Sequence, residues 1–283
     1  MSNCFSLILC DKEEGITSFR SLGLIKKEHR GEKVGHAGTL DKFASGLMLV
    51  MVGGATKLNP VFSSFDKRYI ATVQFGSETS TLDPEGEVVY TSEHIPTREE
   101  LEPIVASFIG KQKQVPPVYS ALHIDGERAY LRAAKGQDVE MPERDIEIYS
   151  IALLSYENGI AKIDCHVSKG TYIRSLARDI ALKAHSRGHL IGLRRTNVGP
   201  FSVDDKDYST KELLDKTELF SAVFLDQEHR KEIDNGTIKN RWILSDSNPE
   251  RTYCYVYFGD EFYGIGEKQD KLKIITRSLN GSI

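Results

Sequence analysis

Gly35-His36-Ala37-Gly38-Thr39-Leu40-Asp41 is a loop sequence set between a predicted helix and an apolar strand. Its small residues let a backbone bend sharply and approach a ligand closely. It carries an imidazole and a carboxylate five residues apart. Spacing alone suits a turn with a capping Asp better than a catalytic pairing. Upstream, Phe5–Cys10 reads as a short strand. Gly15-Ile16-Thr17-Ser18 then reads as a turn opening a helix, with Thr17 or Ser18 as its cap and an end near His29. Downstream, Leu47–Val52 reads as a fully apolar strand. Gly53-Gly54 breaks it, and a short helix is expected next.

Further out, Tyr69–Phe75 alternates like a half-buried strand. Thr97 followed by Glu99 and Glu100 opens a helix that runs to about residue 109. Pro116-Pro117 excludes a regular helix at that point. Ile146–Leu154 and Ile160–Val167 read as a hairpin turning at Asn158-Gly159. A helix from Thr171 presents Ile173, Leu176, Ala177, Ile180, Ala181 and Ala184 at helical spacing, and a strand covers 189–198. The stretch 204–234 reads as acidic and partly helical. Tyr253–Phe258 and Glu261–Gly266 flank the turn Gly259-Asp260. The pattern predicts an α+β protein, with a larger domain over 1–228 and a small β-rich domain over 229–283.

Charge is unevenly spread. The chain of 283 residues has net charge −4. Residues 78–102 hold eight acids against Arg98. Residues 183–195 hold Lys183, Arg187, Arg194 and Arg195 with no acid, and 20–33 hold Arg20, Lys26, Lys27, Arg30 and Lys33 against Glu28 and Glu32. These are either solvated faces or local surfaces for a polyanion. Cys4, Cys10, Cys165 and Cys254 show no metal-ligand spacing, so no metal is expected, and scattered thiols suit a reducing compartment. No apolar run approaches the roughly 20 residues of a membrane span, and the N-terminus lacks signal-peptide character. A cytoplasmic protein with no membrane association is expected.

Two more segments carry chemistry. Ser168-Lys169-Gly170-Thr171-Tyr172-Ile173-Arg174 ends a strand, turns, and brings Arg174 out of the first turn of a helix. Asp66-Lys67-Arg68-Tyr69 sets two cations before an aromatic ring. Such a ring can stack on a base while the cations meet phosphates, although a Tyr opening a strand also serves plain packing.

Taken in order with Asp11-Lys12-x-x-Gly15-Ile16-Thr17-Ser18, Ala44-x-Gly46 and Pro116-Pro117-Val118-Tyr119-Ser120-Ala121-Leu122, these blocks resemble the TruB pseudouridine synthases. The resemblance covers roughly residues 5–200. It implies a pseudouridine synthase domain with a mixed, largely antiparallel sheet flanked by helices. Ile233-Asp234-Asn235-Gly236 and Phe262-Tyr263-Gly264-Ile265-Gly266 resemble a PUA-like RNA-binding domain. The implied reaction converts uridine 55 of the tRNA T loop to pseudouridine on a flipped-out base, without a cofactor. The implied roles are Asp41 as nucleophile, Tyr69 stacking on the uracil, Arg174 keeping Asp41 ionised, and His36 filling the space the base vacates. Tyr172 and Leu193 would line the base pocket, and Lys12, Lys57, Lys67 and the 183–195 stretch would meet phosphates. A monomer acting on the T stem-loop without an obligate protein partner is expected.

The chain departs from the family where Glu13 and Lys42 replace proline and where Ala133-Ala134-Lys135-Gly136 lacks an arginine after Tyr130. Three other readings compete: a non-catalytic RNA chaperone, a guide-RNA-dependent relative, and a glycoside hydrolase. The last lacks a second carboxylate placed to activate water.

Overall fold

The computed structural model describes residues 4–120, 122–124, 127–128, 132, 140–205, 207–236 and 238–277. Tyr130 and the 133–136 segment lie outside them. β1 (Phe5–Lys12) pairs antiparallel with β3 (Ser45–Gly53), and β2 (Val34–His36) takes the far half of β3's other edge. The near half of that edge accepts β12 (Gly188–Val198) in a parallel pairing, Arg194 beside Ser45 and Arg195 beside Gly46. Residues 37–44 therefore leave the sheet at β2 and rejoin it next to β12. Beyond β12 come β4 (Lys67–Phe75), β11 (Ile160–Val167), β10 (Arg144–Glu157) and β7 (Gly110–Gln114). β13 (Phe201–Ser202) pairs with β12. The hairpin turn between β10 and β11 has Asn158 and Gly159 at φ 50° and 75°, the left-handed values that a two-residue turn requires. Two small hairpins lie apart: β5 (Ser77–Thr79) with β6 (Val88–Thr91), and β8 (His123–Ile124) with β9 (Glu127–Arg128).

The unbroken apolarity of β3 has a physical reason. Met48, Val50 and Val52 enter one hydrophobic core, while Leu47, Leu49 and Met51 enter another on the opposite face. The first core lies beneath α4 (Arg98–Ala106) and α5 (Ile173–Lys183). The second receives Phe62 from α3 (Asn59–Ser63), Leu213 and Leu214 from α6 (Thr210–Lys216), and Phe220, Tyr255, Phe262 and Ile265 from a second sheet. That sheet runs in the order β15 (Ile243–Asp246), β14 (Phe220–Leu225), β16 (Tyr253–Phe258), β17 (Glu261–Lys268), β18 (Leu272–Arg277). A mixed, largely antiparallel sheet flanked by helices, followed by a β-rich C-terminal unit, is the α+β architecture read from the sequence.

Details differ. The helix expected from Thr17 to His29 is two short ones, α1 (Ser18–Ser21) and α2 (Gly23–Glu28). Thr17 caps the first, and Leu22 and Ile25 must both face the core across weak helix-former Gly23. The 204–234 stretch contains β14 as well as α6 and the short α7 (Arg230–Asp234). Strand β14 belongs to the second sheet although it precedes residue 229. The acidic segment 78–102 is folded, not a solvated run. It supplies the β5–β6 hairpin and α4, whose Thr97 and Glu100 form a reciprocal cap, and it buries Glu78 and Asp83.

Candidate active site

Two glycines shape the loop that carries Asp41. Gly46 has φ 108°, and a Cβ there would meet the Arg195 carbonyl at 2.2 Å, so no side chain fits where β3 touches β12. Gly38 has φ 104° and offers its carbonyl to Arg195 Nη2 at 3.1 Å. The loop is braced from below by the segment 12–18. Ser18 Oγ donates to the Leu40 carbonyl at 2.8 Å and accepts from the Leu40 N–H at 2.9 Å. Lys12 Nζ donates to the carbonyls of Glu13, Ile16 and Lys42 at 2.9, 2.7 and 3.2 Å.

Asp41 ends up facing Arg174, which rises from the first turn of α5. Asp41 Oδ2 lies 3.0 Å from Arg174 Nε, and Nη2 donates to Oδ1 at 3.2 Å. Arg174 is 6% exposed, so its charge needs partners on every side. Nη1 donates to Asp83 Oδ2 at 3.1 Å and to the Thr81 carbonyl at 3.0 Å, and Nη2 also donates to the Tyr119 carbonyl at 3.0 Å. The arginine is thus fixed between two carboxylates. Asp83 is itself held by Thr81 Oγ1, which donates to its Oδ1 at 2.5 Å. Just before it, Leu82 sits at φ 61°, a strained value for a branched residue that the packed surroundings impose.

A cavity of about 440 Å³ opens above Asp41. Its walls include Tyr69, Tyr119, Tyr172, Leu193, Lys67 and Arg195. Two strands and a helix start thereby converge: β4 gives Tyr69 and Lys67, β12 gives Leu193 and Arg195, and α5 opens at Tyr172. Gln114 at the end of β7 fixes Tyr172 by accepting its N–H at 2.8 Å and donating to its carbonyl at 3.2 Å. The cavity combines apolar and aromatic walls with one carboxylate and buried cations, a lining suited to a flat polar ring on a sugar.

The surroundings set the protonation states. Burial pushes the Asp41 carboxyl above its usual range; Arg174 pulls it back, and the charges of Asp83 and Glu85 push it up again. The side chain still keeps 37% of its surface open. Burial likewise raises the Tyr69 phenol, against the pull of the adjacent Arg195 guanidinium. Tyr69 is therefore a neutral ring and hydroxyl in this state. Lys67 is brought down to about 8 by burial and by Arg195, while its ammonium donates to the carbonyls of Ser63 and Phe65. His36 is lowered by burial and by Arg195, which favours the uncharged imidazole.

The structure brings Asp41, Tyr69, Arg174, Tyr172 and Leu193 to one cavity. His36 is not among the residues that line it; it ends β2, five residues before Asp41, with Nδ1 buried and unpaired. Two expected phosphate contacts fall elsewhere. Lys12 is 1% exposed, its ammonium being taken up by three carbonyls, so it cannot reach RNA in this arrangement. Lys57 donates to the Ile275 carbonyl at 3.0 Å, at the junction with the second sheet. Most cations of the 183–195 stretch are also held by partners within the fold. Arg195 is 1% exposed and donates from Nε to the Leu47 carbonyl, Arg194 pairs with Asp11, Arg187 with Glu78, and Lys183 donates to Ser107. Lys42, which stands where the family has proline, lies 3.3 Å from Glu85. Asp83, Arg195 and Gln114 are the site residues that the sequence did not reveal. Asp83 was hidden in an acidic run and Arg195 in a basic one; only the Asp83-Pro84 turn signal hinted at special backbone there.

A family model described as TruB family pseudouridylate synthase, N-terminal domain, matches residues 26–173. The chain is 43% identical to tRNA pseudouridine synthase B of Borreliella burgdorferi, covering 84% of each chain. It is 35% identical to the enzyme of that name from Francisella philomiragia, over 98% of this chain and 95% of the relative. Among solved structures, a Cbf5–Nop10–Gar1 complex superposes with TM-score 0.66 at 22% identity, over 97% of this chain and 86% of that one, which is a likeness of fold. The chain belongs to the TruB family of pseudouridylate synthases. It is a pseudouridine-forming isomerase, as the sequence blocks implied.

Proposed function

We propose that this enzyme converts uridine 55 in the T loop of tRNA to pseudouridine, with Asp41 as the covalent nucleophile. The observation that carries this reading is the Arg174 clamp, which presents one half-open carboxylate to a cavity walled by Tyr69, Tyr172 and Leu193. The relatives named tRNA pseudouridine synthase B support the tRNA substrate.

The reaction breaks the N1–C1′ bond, turns the uracil, and joins C5 to C1′. The hydrogen on C5 leaves as a proton and N1 gains one, so no electron or group donor is consumed. Asp41 forms and then releases a bond to the nucleoside, which divides one hard step into easier ones. Tyr69 stacks on the extruded uracil, Tyr172 and Leu193 confine it, and neutral His36 steadies the gap left in the loop. Extrusion costs a few kcal/mol of stacking, which these contacts offset. Arg174 opposes the burial that would otherwise protonate Asp41.

The second sheet acts as a PUA-like RNA-binding unit. We place this unit over 229–283, with β14 hydrogen-bonded into its sheet from the preceding segment. The enzyme works as a cytoplasmic monomer without an obligate protein partner. The test is incubation of the purified chain alone with a bare, unmodified T-arm stem-loop. Conversion of the T-loop uridine is the expected result. Conversion only when a guide RNA or protein is added would favour a guide-dependent enzyme, and release of free uracil a hydrolase.

A further inference from the structure

Helices α1 and α2 carry a surface that the catalytic site does not use. Phe19 and Leu24 are each 74% exposed, the most open large hydrophobic residues among those described. Lys26 Nζ stands 3.5 Å over the centre of the Phe19 ring. Arg20, Lys27, Arg30 and Lys33 lie on the same short stretch, and among the described residues none of these four, nor Lys26, forms an ion pair with a carboxylate. The surface adjoins the catalytic loop. Ser18, the residue before Phe19, is the one hydrogen-bonded both ways to Leu40, and Lys26 is near enough to His36 to act on its charge.

We propose that the Phe19–Lys26 platform is an RNA-docking surface, on which Phe19 stacks against an unpaired base of the substrate while Arg20, Lys26 and Lys27 hold the flanking phosphates. The inference rests on the RNA substrate proposed above. A ring that stays in water under an ammonium is already arranged for a base to slide against its open side. The cations around it complement a phosphodiester strand, whereas in the other basic stretch Arg187 and Arg194 are paired with Glu78 and Asp11 and Arg195 is buried on backbone carbonyls. Proximity to the Asp41 loop places the bound nucleotide next to the extruded one, so that docking here adds to binding and not to the chemical step.

Two variants test it, Phe19→Ala and the double change Arg20→Ala/Lys27→Ala, with RNA binding measured as Kd against salt and conversion measured in single turnover at saturating RNA. These residues are exposed, so melting temperature should stay at the wild-type value. Phe19→Ala should raise Kd for the T-arm by about 5- to 150-fold. The double variant should lower the slope of log Kd against log salt by about 1.4 to 1.8. Both should convert saturating RNA at a rate within about twofold of wild type, because neither touches the reacting atoms. Wild-type conversion with unchanged Kd and slope in both variants overturns the surface alone, and a surface meant for a protein partner would give that result. A wild-type chain that neither binds nor converts RNA overturns the functional reading, and this surface with it.

Discussion

Asp41 and Asp83 grip the same guanidinium from two sides, yet they live in different surroundings. The Asp41 side chain is 37% exposed and opens on the cavity; that of Asp83 is 5% exposed and closed in by the β5–β6 turn. Arg174 reaches each at 3.0 to 3.1 Å. Nearly equal contact with the cation therefore does not mean an equal role. The open carboxylate can meet a substrate carbon, and the sealed one can only hold the arginine in place. Their opposition also tunes charge, because Asp83 raises the Asp41 pKa while Arg174 lowers it.

The contrast can be broken at each member. Asp41→Asn should lower the rate of pseudouridine formation by at least about 10⁴-fold with KM changed little, as removal of a covalent nucleophile does. Arg174→Lys should cost about 10³-fold, measured as kcat, since a point charge cannot span two carboxylates and two carbonyls at once. Asp83→Asn should cost about 10²-fold through a loosened Arg174. It carries a further signature in pH. Asp41 must be ionised to attack, and its raised pKa puts the acid limb of the rate profile above the ordinary carboxylate range. Removing the Asp83 charge lowers the Asp41 pKa, so that limb should move to lower pH. An unmoved limb with an unchanged rate would place Asp83 outside the clamp. Lys12→Met should lower stability by about 2 kcal/mol in chemical denaturation, because three carbonyls lose a charged donor. The salt dependence of RNA binding should stay as in wild type.

Much of the architecture was legible because local rules and tertiary packing agree. The Asn158-Gly159 hairpin, the alternating face of β4 and the apolar β3 all follow from periodicity. Asp41, Tyr69 and Arg174 stood out through the motifs that hold them. What stayed hidden depends on contacts between distant segments. Nothing local marks Asp83 as buried while Glu85, two residues on, is exposed. Nor does a run of cations tell which charge will cross the sheet to a backbone carbonyl, as Arg195 does to Leu47. Lys12 misled for the same reason: the residue type suggested phosphate, and the fold turned its ammonium inward. Net charge hid the difference between a basic stretch whose arginines are held within the fold and one whose cations form no ion pair among the described residues.

The most direct measurement maps pseudouridine, position by position, in an unmodified tRNA transcript exposed to the wild-type chain or to Asp41→Asn, with RNA binding checked for both. Conversion of one T-loop uridine, position 55, by wild type and of none by the variant is expected, while both bind the RNA. Conversion by Asp41→Asn, or binding by wild type without conversion, would contradict the proposed function.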